Sequence, residues 1–523
     1  MPSKNILYPS VPSSTLPLLY LSGLLRGIER NMDAVPTYPA TSVKRTRNML
    51  QSTAYSLPAE ILSLIFRDAI RAMNLPLFMP GCGQHSAGWF ILLWVCSRWR
   101  DIIVANASIW ASCYSHYPKL QAIFLARAGR VPLVYRVNAW EPAISPFSAM
   151  FYTDDLTLNK FFAATPLEKC SEIHVADGRG NDVTDHIFAL AALAGKSPLR
   201  HLRTLYLSTW QWNWSGPKAK ALTEGSDIAP IISDVLEDVY FENCWTVVCS
   251  PSIERFTSIF ASGNYLRPTI HTFYHAMKLS CWNALTTLKL VNPVGGSYRD
   301  DVTQQQSAPI AMPSLKDMVL IGYAPHIANL LRIILWPQHG TKLRVRTIVG
   351  DGPAQSLRDE EMILDLCCRP SSTTSFQSLS VEHLGHRQIA DRTIVRAWSD
   401  DWSSRTRSPP DPDIVVSFGG AYLPCAWHET TIAATRACGS SHIRLLVLAL
   451  LPGDHQKSHT PWEQVFLAMP NLRVLFPWKR VMASIGDVRD DHPLGTEFRK
   501  RVVDFETLPH ANHDAYRFSQ EIC

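Results

Sequence analysis

One phrase recurs along this chain and limits what it can become: an apolar residue, two others, an apolar, one other, an apolar. It occurs as Cys170/Ile173/Val175, Leu202/Leu205/Leu207, Leu236/Val239/Phe241, Leu285/Leu288/Leu290, Leu315/Met318/Leu320, Phe376/Leu379/Val381 and Ile443/Leu446/Leu448. A degraded copy follows at Leu472/Leu475. The last two apolar positions alternate, as in a short strand with one face buried. Such a strand cannot bury its edges or its leucines alone, so each copy needs another beside it. The copies stand 32, 34, 49, 30, 61, 67 and 29 residues apart.

That phrase is the start of the leucine-rich-repeat pattern LxxLxLxxN/C. "LEDVYFENC" (Leu236 to Cys244) fits even the terminal Cys, whereas in "LTTLKLVN" Asn292 sits one place early. Strict repeats run roughly 20–29 residues. The uneven spacing therefore leaves two readings, an irregular solenoid of parallel strands or an α/β domain with a few buried strands. The gaps Asn292 to Pro313, with "TQQQS", and Arg396 to Asp413, with "SSRTRSPPDPD", read as surface loops between strands.

Length and composition bound the function. A chain of 523 residues supports two or more domains and a large core. A net charge of +5 is small for this size, and its basic residues are dispersed, unlike a nucleic-acid-binding surface. The one tight basic cluster, Lys44-Arg45-Thr46-Arg47, lies in a polar tail and reads as a solvated charge run. Twelve cysteines contain no CxxC pair and mostly fall in apolar stretches, as reduced core cysteines do, which points to the cytosol or nucleus. Cys82 and His85 lack a second pair of ligands nearby, so no metal is expected. His271 and His275 have metal-compatible helical spacing but read as partly buried structural histidines. Three prolines break the uncharged stretch Asn5 to Leu25, against a signal peptide. The solid apolar run Trp89 to Cys96 is far short of the ~20 residues that span a bilayer. No GxSxG, P-loop, GxGxxG, HExxH or EF-hand motif occurs, so neither catalysis nor a cofactor is expected.

"LPAEILSLIFRDAI" (Leu57 to Ile70) raises a different problem. It opens as a helix, with a proline where the missing N–H costs nothing. Ile61, Ile65, Ala69 and Met73 line one side, Leu62, Phe66 and Ile70 the neighbouring one, and Leu64 a third direction. A second helix is expected over Trp89 to Ala105, and "SIWASCY" closes the unit near Tyr114. Some 55 residues cannot bury two apolar stripes internally, so one stripe is expected at an interface. From about Leu120 a helical piece, "KLQAIFLARAG", leads into an alternating strand, Val131 to Val137.

"LPAEILSLIF", then "WVCSRWRDI" at Trp94 to Ile102, then Ile109-Trp110, resembles the F-box as found in mushroom-forming fungi, where a long Pro-rich loop separates the first two elements. "FLARAGRVPLVYRV" (Phe124 to Val137) is similar to the segment that leads such proteins into their repeats. The resemblance covers about 80 residues. Ser97 departs from the basic residue usual there, and the Gly81 to Gly88 loop is unusually glycine-rich.

The resemblance implies a subunit of an SCF-type ubiquitin ligase that binds a Skp-type adaptor, and through it a cullin. Leu57 and Pro58 would begin the contact, Glu60 would cap or pair at its edge, and Ile61, Leu64 and Ile65 would enter the adaptor's groove. Val95, Cys96, Trp99 and Trp110 match the second signature, some of them serving the unit's own core. The organisation expected is a tail (1–52), a helical F-box unit (53–116), an irregular leucine-rich-repeat domain (117–489) and a C-terminal tail (490–523), an α + α/β fold. The repeats would hold an unknown target protein. The alternative is an interaction scaffold outside any ligase. Solvent-facing strand positions Tyr206, Tyr240 and Lys289 are candidates for target contact. Trp210, Trp212 and Trp214 would face one way in an extended segment, as an exposed anchor or as indoles folded over the repeat core.

Overall fold

The computed structural model describes residue 46 and residues 52–73, 88–116, 121–138, 165–177, 181–209, 230–261, 267–280, 282–295, 309–337, 340–348, 357–368, 376–386, 389–399, 412–419, 427–439, 441–450, 462–472 and 474–477. The chain divides into two compact units, Met1–His174 and Val175–Cys523.

The first unit is mostly helical. After α1 (Thr53–Ser56) and α2 (Ala59–Met73), a 3-10 turn (Gly88–Ile91) leads into α3 (Leu92–Val95), α4 (Ser97–Ala105), α5 (Ala107–Ser112) and α6 (Gln121–Ala128). The continuous helix expected over Trp89 to Ala105 is broken. Cys96 is fully extended (φ −160, ψ 166) and opens α4 by accepting from the Arg100 amide at 3.1 Å. Arg100 Nε in turn donates to the Leu93 carbonyl at 3.0 Å, occupying an acceptor that α3 leaves free. Asn106 caps α5, its Oδ1 accepting from the Ser108 amide. The core is aromatic. Trp89, Phe90, Trp110 and Phe124 are buried, with ring centroids 4.4–6.3 Å apart and mostly edge-to-face. Phe124 and α6 thus belong to this core rather than to the repeat region, where the sequence pattern alone would put them. Two strands follow, β1 (Leu133–Asn138) and β2 (Cys170–Asp177), the second of which spans the boundary at His174.

The second unit is mixed α/β and built on a large, mostly parallel sheet. Its strands are β3 (Thr204–Thr209), β4 (Ile231–Ile232), β5 (Asp238–Glu242), β6 (Val248–Cys249), β7 (Arg255–Ile259), β8 (Thr287–Val291), β9 (Ile310–Ala311), β10 (Asp317–Gly322), β11 (Ile334–Leu335), β12 (Lys342–Thr347), β13 (Ser378–His386), β14 (Ile389–Trp398), β15 (Ile414–Gly419), β16 (Leu445–Leu450) and β17 (Val474–Pro477). From β3 the order across the main sheet is β3-β5-β7-β8-β10-β12-β15-β14-β13-β16-β17, with the two-residue pairs β4/β6 and β9/β11 apart from it. Every adjacent pair is parallel except β13/β14 and β14/β15.

The inward positions follow the repeated phrase. Leu205, Leu207, Val239, Phe241, Leu288, Leu290, Met318, Leu320, Leu379 and Val381 are all buried. Helices α7 (Asn181–Ala194), α8 (Ile270–Leu279), α9 (Ala324–Ile333), α10 (Leu357–Cys367), α11 (Trp427–Ala437) and α12 (Trp462–Leu467) supply the other layer, α9 to α12 packing in succession. The core lies between the layers, where Phe273 of α8 meets Trp245 at 5.0 Å and Trp282 meets Phe256 at 5.2 Å. Two of the expected loop boundaries move: Ile310–Ala311 pairs with Ile334–Leu335, and residues 396–398 belong to β14. His271 and His275 on α8 are exposed, not partly buried.

Candidate functional site

In the first unit, α2 resolves its two apolar stripes. Leu62, Phe66 and Ile70 recur every fourth residue and are buried. Phe66 lies against Trp99 of α4, centroids 4.9 Å apart. The second stripe is bare. Ile61, Leu64 and Ile65 are 42%, 45% and 46% exposed. The 3-10 turn and α3 continue the pattern with exposed Ile91, Trp94 and Val95. These six are most of the nine large exposed hydrophobics among the described residues, and they come from a span of 35 positions. Burying what they expose is worth on the order of 10 kcal/mol by area, comparable to the whole stability of a small domain.

Polar groups frame this ridge. Pro58 and Glu60 are exposed at the N-terminus of α2, where an acidic side chain suits the helix dipole. Leu57 is half-buried, and its carbonyl accepts from the Arg98 guanidinium. Cys96 and Trp99 are half-buried at the base. Trp110 needs a correction. It is 1% exposed, donates from Nε1 to the Ile103 carbonyl at 2.9 Å and carries Arg127 over its ring. It is core, and no partner can reach it. Ile91 and Trp94 are site residues that sequence reasoning misses, because one continuous helix would not set them apart.

In the second unit the register sets one row across the outward sheet face. Tyr206, Tyr240, Thr257, Lys289, Val319 and Arg344 are successive partners. Tyr206 and Tyr240 stack with centroids 4.4 Å apart and planes at 6°. Both hydroxyls point to Glu242 Oε2, at 3.5 Å, and Ser208 Oγ donates to the same oxygen at 2.8 Å. Burial foremost, and then the Glu242 charge, pushes both tyrosine hydroxyls above their usual range, so they stay protonated donors. Lys289 is exposed, as the period-two pattern requires. Val319 and Arg344 join the row, and Glu242 stands two residues beyond Tyr240, without any sequence signal of their own. Arg344 lies on β12, where the phrase has a glycine, Gly340, in first place. Trp210, Trp212 and Trp214 lie outside the described residues.

Among the described residues no group of three or more His, Cys, Asp and Glu side chains could hold a metal, and no cysteine is in a disulfide. No helix among them is long and apolar enough to cross a membrane. The chain matches no protein-family model, no curated protein and no solved structure.

Proposed function

We propose that this chain is the target-recognition subunit of an SCF-type ubiquitin ligase. The helical unit acts as an F-box that grips a Skp-type adaptor, and the sheet domain, read as an irregular leucine-rich repeat, holds the target. The observation that carries this reading is the bare ridge Ile61, Leu64, Ile65, Ile91, Trp94 and Val95, set on an otherwise well-packed aromatic core. A contiguous apolar surface of this kind marks an interface. Its position on elements whose sequences resemble the F-box supports a Skp-type adaptor as the partner. Catalysis then belongs to the ligase's conjugating enzyme, and this chain raises the local concentration of target lysines.

The experiment is co-production with a Skp-type adaptor, followed by pull-down probed for adaptor and cullin. Leu57→Ala with Ile61→Ala is expected to weaken adaptor binding by ~3 kcal/mol or more, over a hundredfold. Adaptor bound without cullin would favour the scaffold role instead. Unchanged adaptor binding by that variant, or no adaptor binding at all, would remove the F-box reading and the ligase function with it.

A further inference from the structure

The outward sheet face has chemistry that specifies what it can hold. At the β3/β5 end, three donors converge on one oxygen of Glu242, Oε2, and among the described residues nothing takes Oε1. Tyr240 turns one ring face to Tyr206 and the other towards Thr257, a small residue. A guanidinium or ammonium group is complementary to this pair, to the Glu242 carboxylate by charge and to the Tyr240 ring by its quadrupole.

At the β8/β12 end the sign reverses. Lys289 and Arg344 are both exposed, and neither makes an ion pair among the described residues. Val319 lies between them as an uncharged floor. Of the neighbouring charges on the face, Arg255 is paired to Asp238, and Asp317 stands opposite Lys342 in the register.

The two ends are four strands apart, β5 to β12 through β7, β8 and β10. At ~4.8 Å per strand that is ~19 Å to Arg344, with Lys289 on β8 at ~10 Å, and an extended chain at ~3.3 Å per residue crosses these in about six and about three residues. We propose that this face binds an extended peptide segment of the target, laid across the strands, with a basic residue over Tyr240 and Glu242 and acidic residues about three and about six positions away over Lys289 and Arg344. The inference deepens the target-binding half of the function proposed above and rests on it. A nucleic acid fits less well, because Glu242 would repel its phosphates at one end of the path.

The probe is a fluorescein-labelled peptide, Arg-Thr-Ser-Asp-Val-Thr-Glu-Ser, titrated with the full chain by fluorescence anisotropy. A permuted peptide of the same composition, with its charges clustered in the middle, should bind about tenfold more weakly or worse. Lys289→Glu with Arg344→Glu should lose at least that much and recover when the two acidic residues of the peptide are replaced by Lys and Arg. An unchanged melting temperature establishes that the variant is folded. Equal binding of the permuted peptide, no effect of the charge reversal, or tighter binding of an octathymidylate would each overturn the proposal. The same variant is run in the adaptor pull-down. Adaptor binding that persists while peptide binding vanishes separates this face from the ridge, and failure of the adaptor experiment alone leaves the peptide result standing.

Discussion

Asn243 and Asn292 clasp one stretch of backbone from opposite sides. Asn243 Oδ1 accepts from the Ala261 amide at 2.7 Å, and Asn292 Nδ2 donates to the Phe260 carbonyl at 3.1 Å. Each stands seven residues after the first apolar residue of its phrase, Leu236 or Leu285, and each has a left-handed backbone, φ 53 and 48. Asn243 also donates from Nδ2 to the Thr209 carbonyl at 3.0 Å. Asn292, one place early against the repeat pattern, is therefore the counterpart of Asn243 and not a failed copy of Cys244. Asparagine suits the place because its short amide both tolerates positive φ and reaches the neighbouring strand.

Asn243→Ala is expected to destabilise the second unit by ~2–4 kcal/mol, from two lost hydrogen bonds and the strain of a Cβ at positive φ. Asn243→Gly should recover ~1 kcal/mol of that, the backbone share alone. Asn292→Ala should cost less, since Asn292 Oδ1 has no partner to lose. Denaturant unfolding of the three variants gives the order. Equal losses for Ala and Gly at position 243 would remove the backbone part of the explanation.

The two stripes of α2 make a second contrast. Phe66→Ala should cost ~3–5 kcal/mol, because Phe66 is buried against Trp99. Ile65→Ser should stay within ~0.5 kcal/mol in the free chain and improve its solubility, because Ile65 is exposed. Thermal melts and a solubility limit measured on the free protein suffice. A loss on Ile65→Ser as large as that on Phe66→Ala would place the second stripe inside the fold.

Ser258 occupies an inward position on β7 where most copies of the phrase have an apolar residue. It is fully buried, and its hydroxyl has no partner. Ser258→Ala should be neutral or stabilising by up to ~1 kcal/mol, since it removes an unsatisfied polar group without adding volume. A midpoint shift in urea, read at constant slope, measures this. A clear destabilisation would show that the hydroxyl has a partner after all.

Acid should loosen the β1–β2 region. The His174 imidazole first, and then the Arg136 guanidinium 3.0 Å away, hold the Glu172 carboxyl down at about 2, against the opposing pull of burial. A depressed carboxyl contributes stability above its unfolded value of 4.5, and that contribution is lost as pH falls from there towards 2. Glu172→Gln should flatten this acid limb and leave the alkaline one alone. Stability titrated between pH 6 and 2 decides it.

The buried thiols share the alkaline limb with the tyrosine hydroxyls that burial raises, those of Tyr114, Tyr206 and Tyr240. Burial pushes Cys170 up to about 12 and raises Cys244 and Cys367 as well, while contact with Cys368 and burial together raise Cys438. A raised thiol contributes stability that is complete below its unfolded value of 9 and is lost as pH climbs through the folded one. Native protein at pH 8 should therefore react with iodoacetamide at half-buried Cys96 and Cys249 well before these four. Mass mapping after a brief pulse would show the order, and early labelling of Cys244 would contradict it.

The repeated phrase marks β2, β3, β5, β8, β10, β13, β16 and β17 in the amino-acid sequence itself, because two inward apolar side chains and a third at the turn leave a period that survives loop variation. Where one of those places is polar or glycine, the strand is invisible to the pattern. Ser258 hides β7, Gly340 hides β12 and Asp411 hides β15, and these gaps account for the 49-, 61- and 67-residue intervals. The antiparallel β14 cannot be found by a parallel-repeat template at all. At the ridge, the surplus of apolar residues on α2 is legible in the sequence. The division between buried and bare stripes is not, since it depends on the break at Cys96 that aims Trp99 at Phe66.

The reversed trio, β15-β14-β13, changes how the sheet can come apart. In a plain row of parallel repeats each strand rests on its sequence neighbour, and the array can unzip from an end one repeat at a time. Here β16 rests on β13, and β13 is separated from β12 by two strands that come later in the chain. Peeling the C-terminal strands reaches β13 first, then β14, then β15, so within the trio the zipper runs forwards along the chain while on either side of it the zipper runs backwards. The segment from β12 to β16 must therefore open as one knot-like block, and no single repeat within it can be deleted or duplicated without re-pairing its neighbours. The trio fixes the length of this array in a way that repetition alone never does.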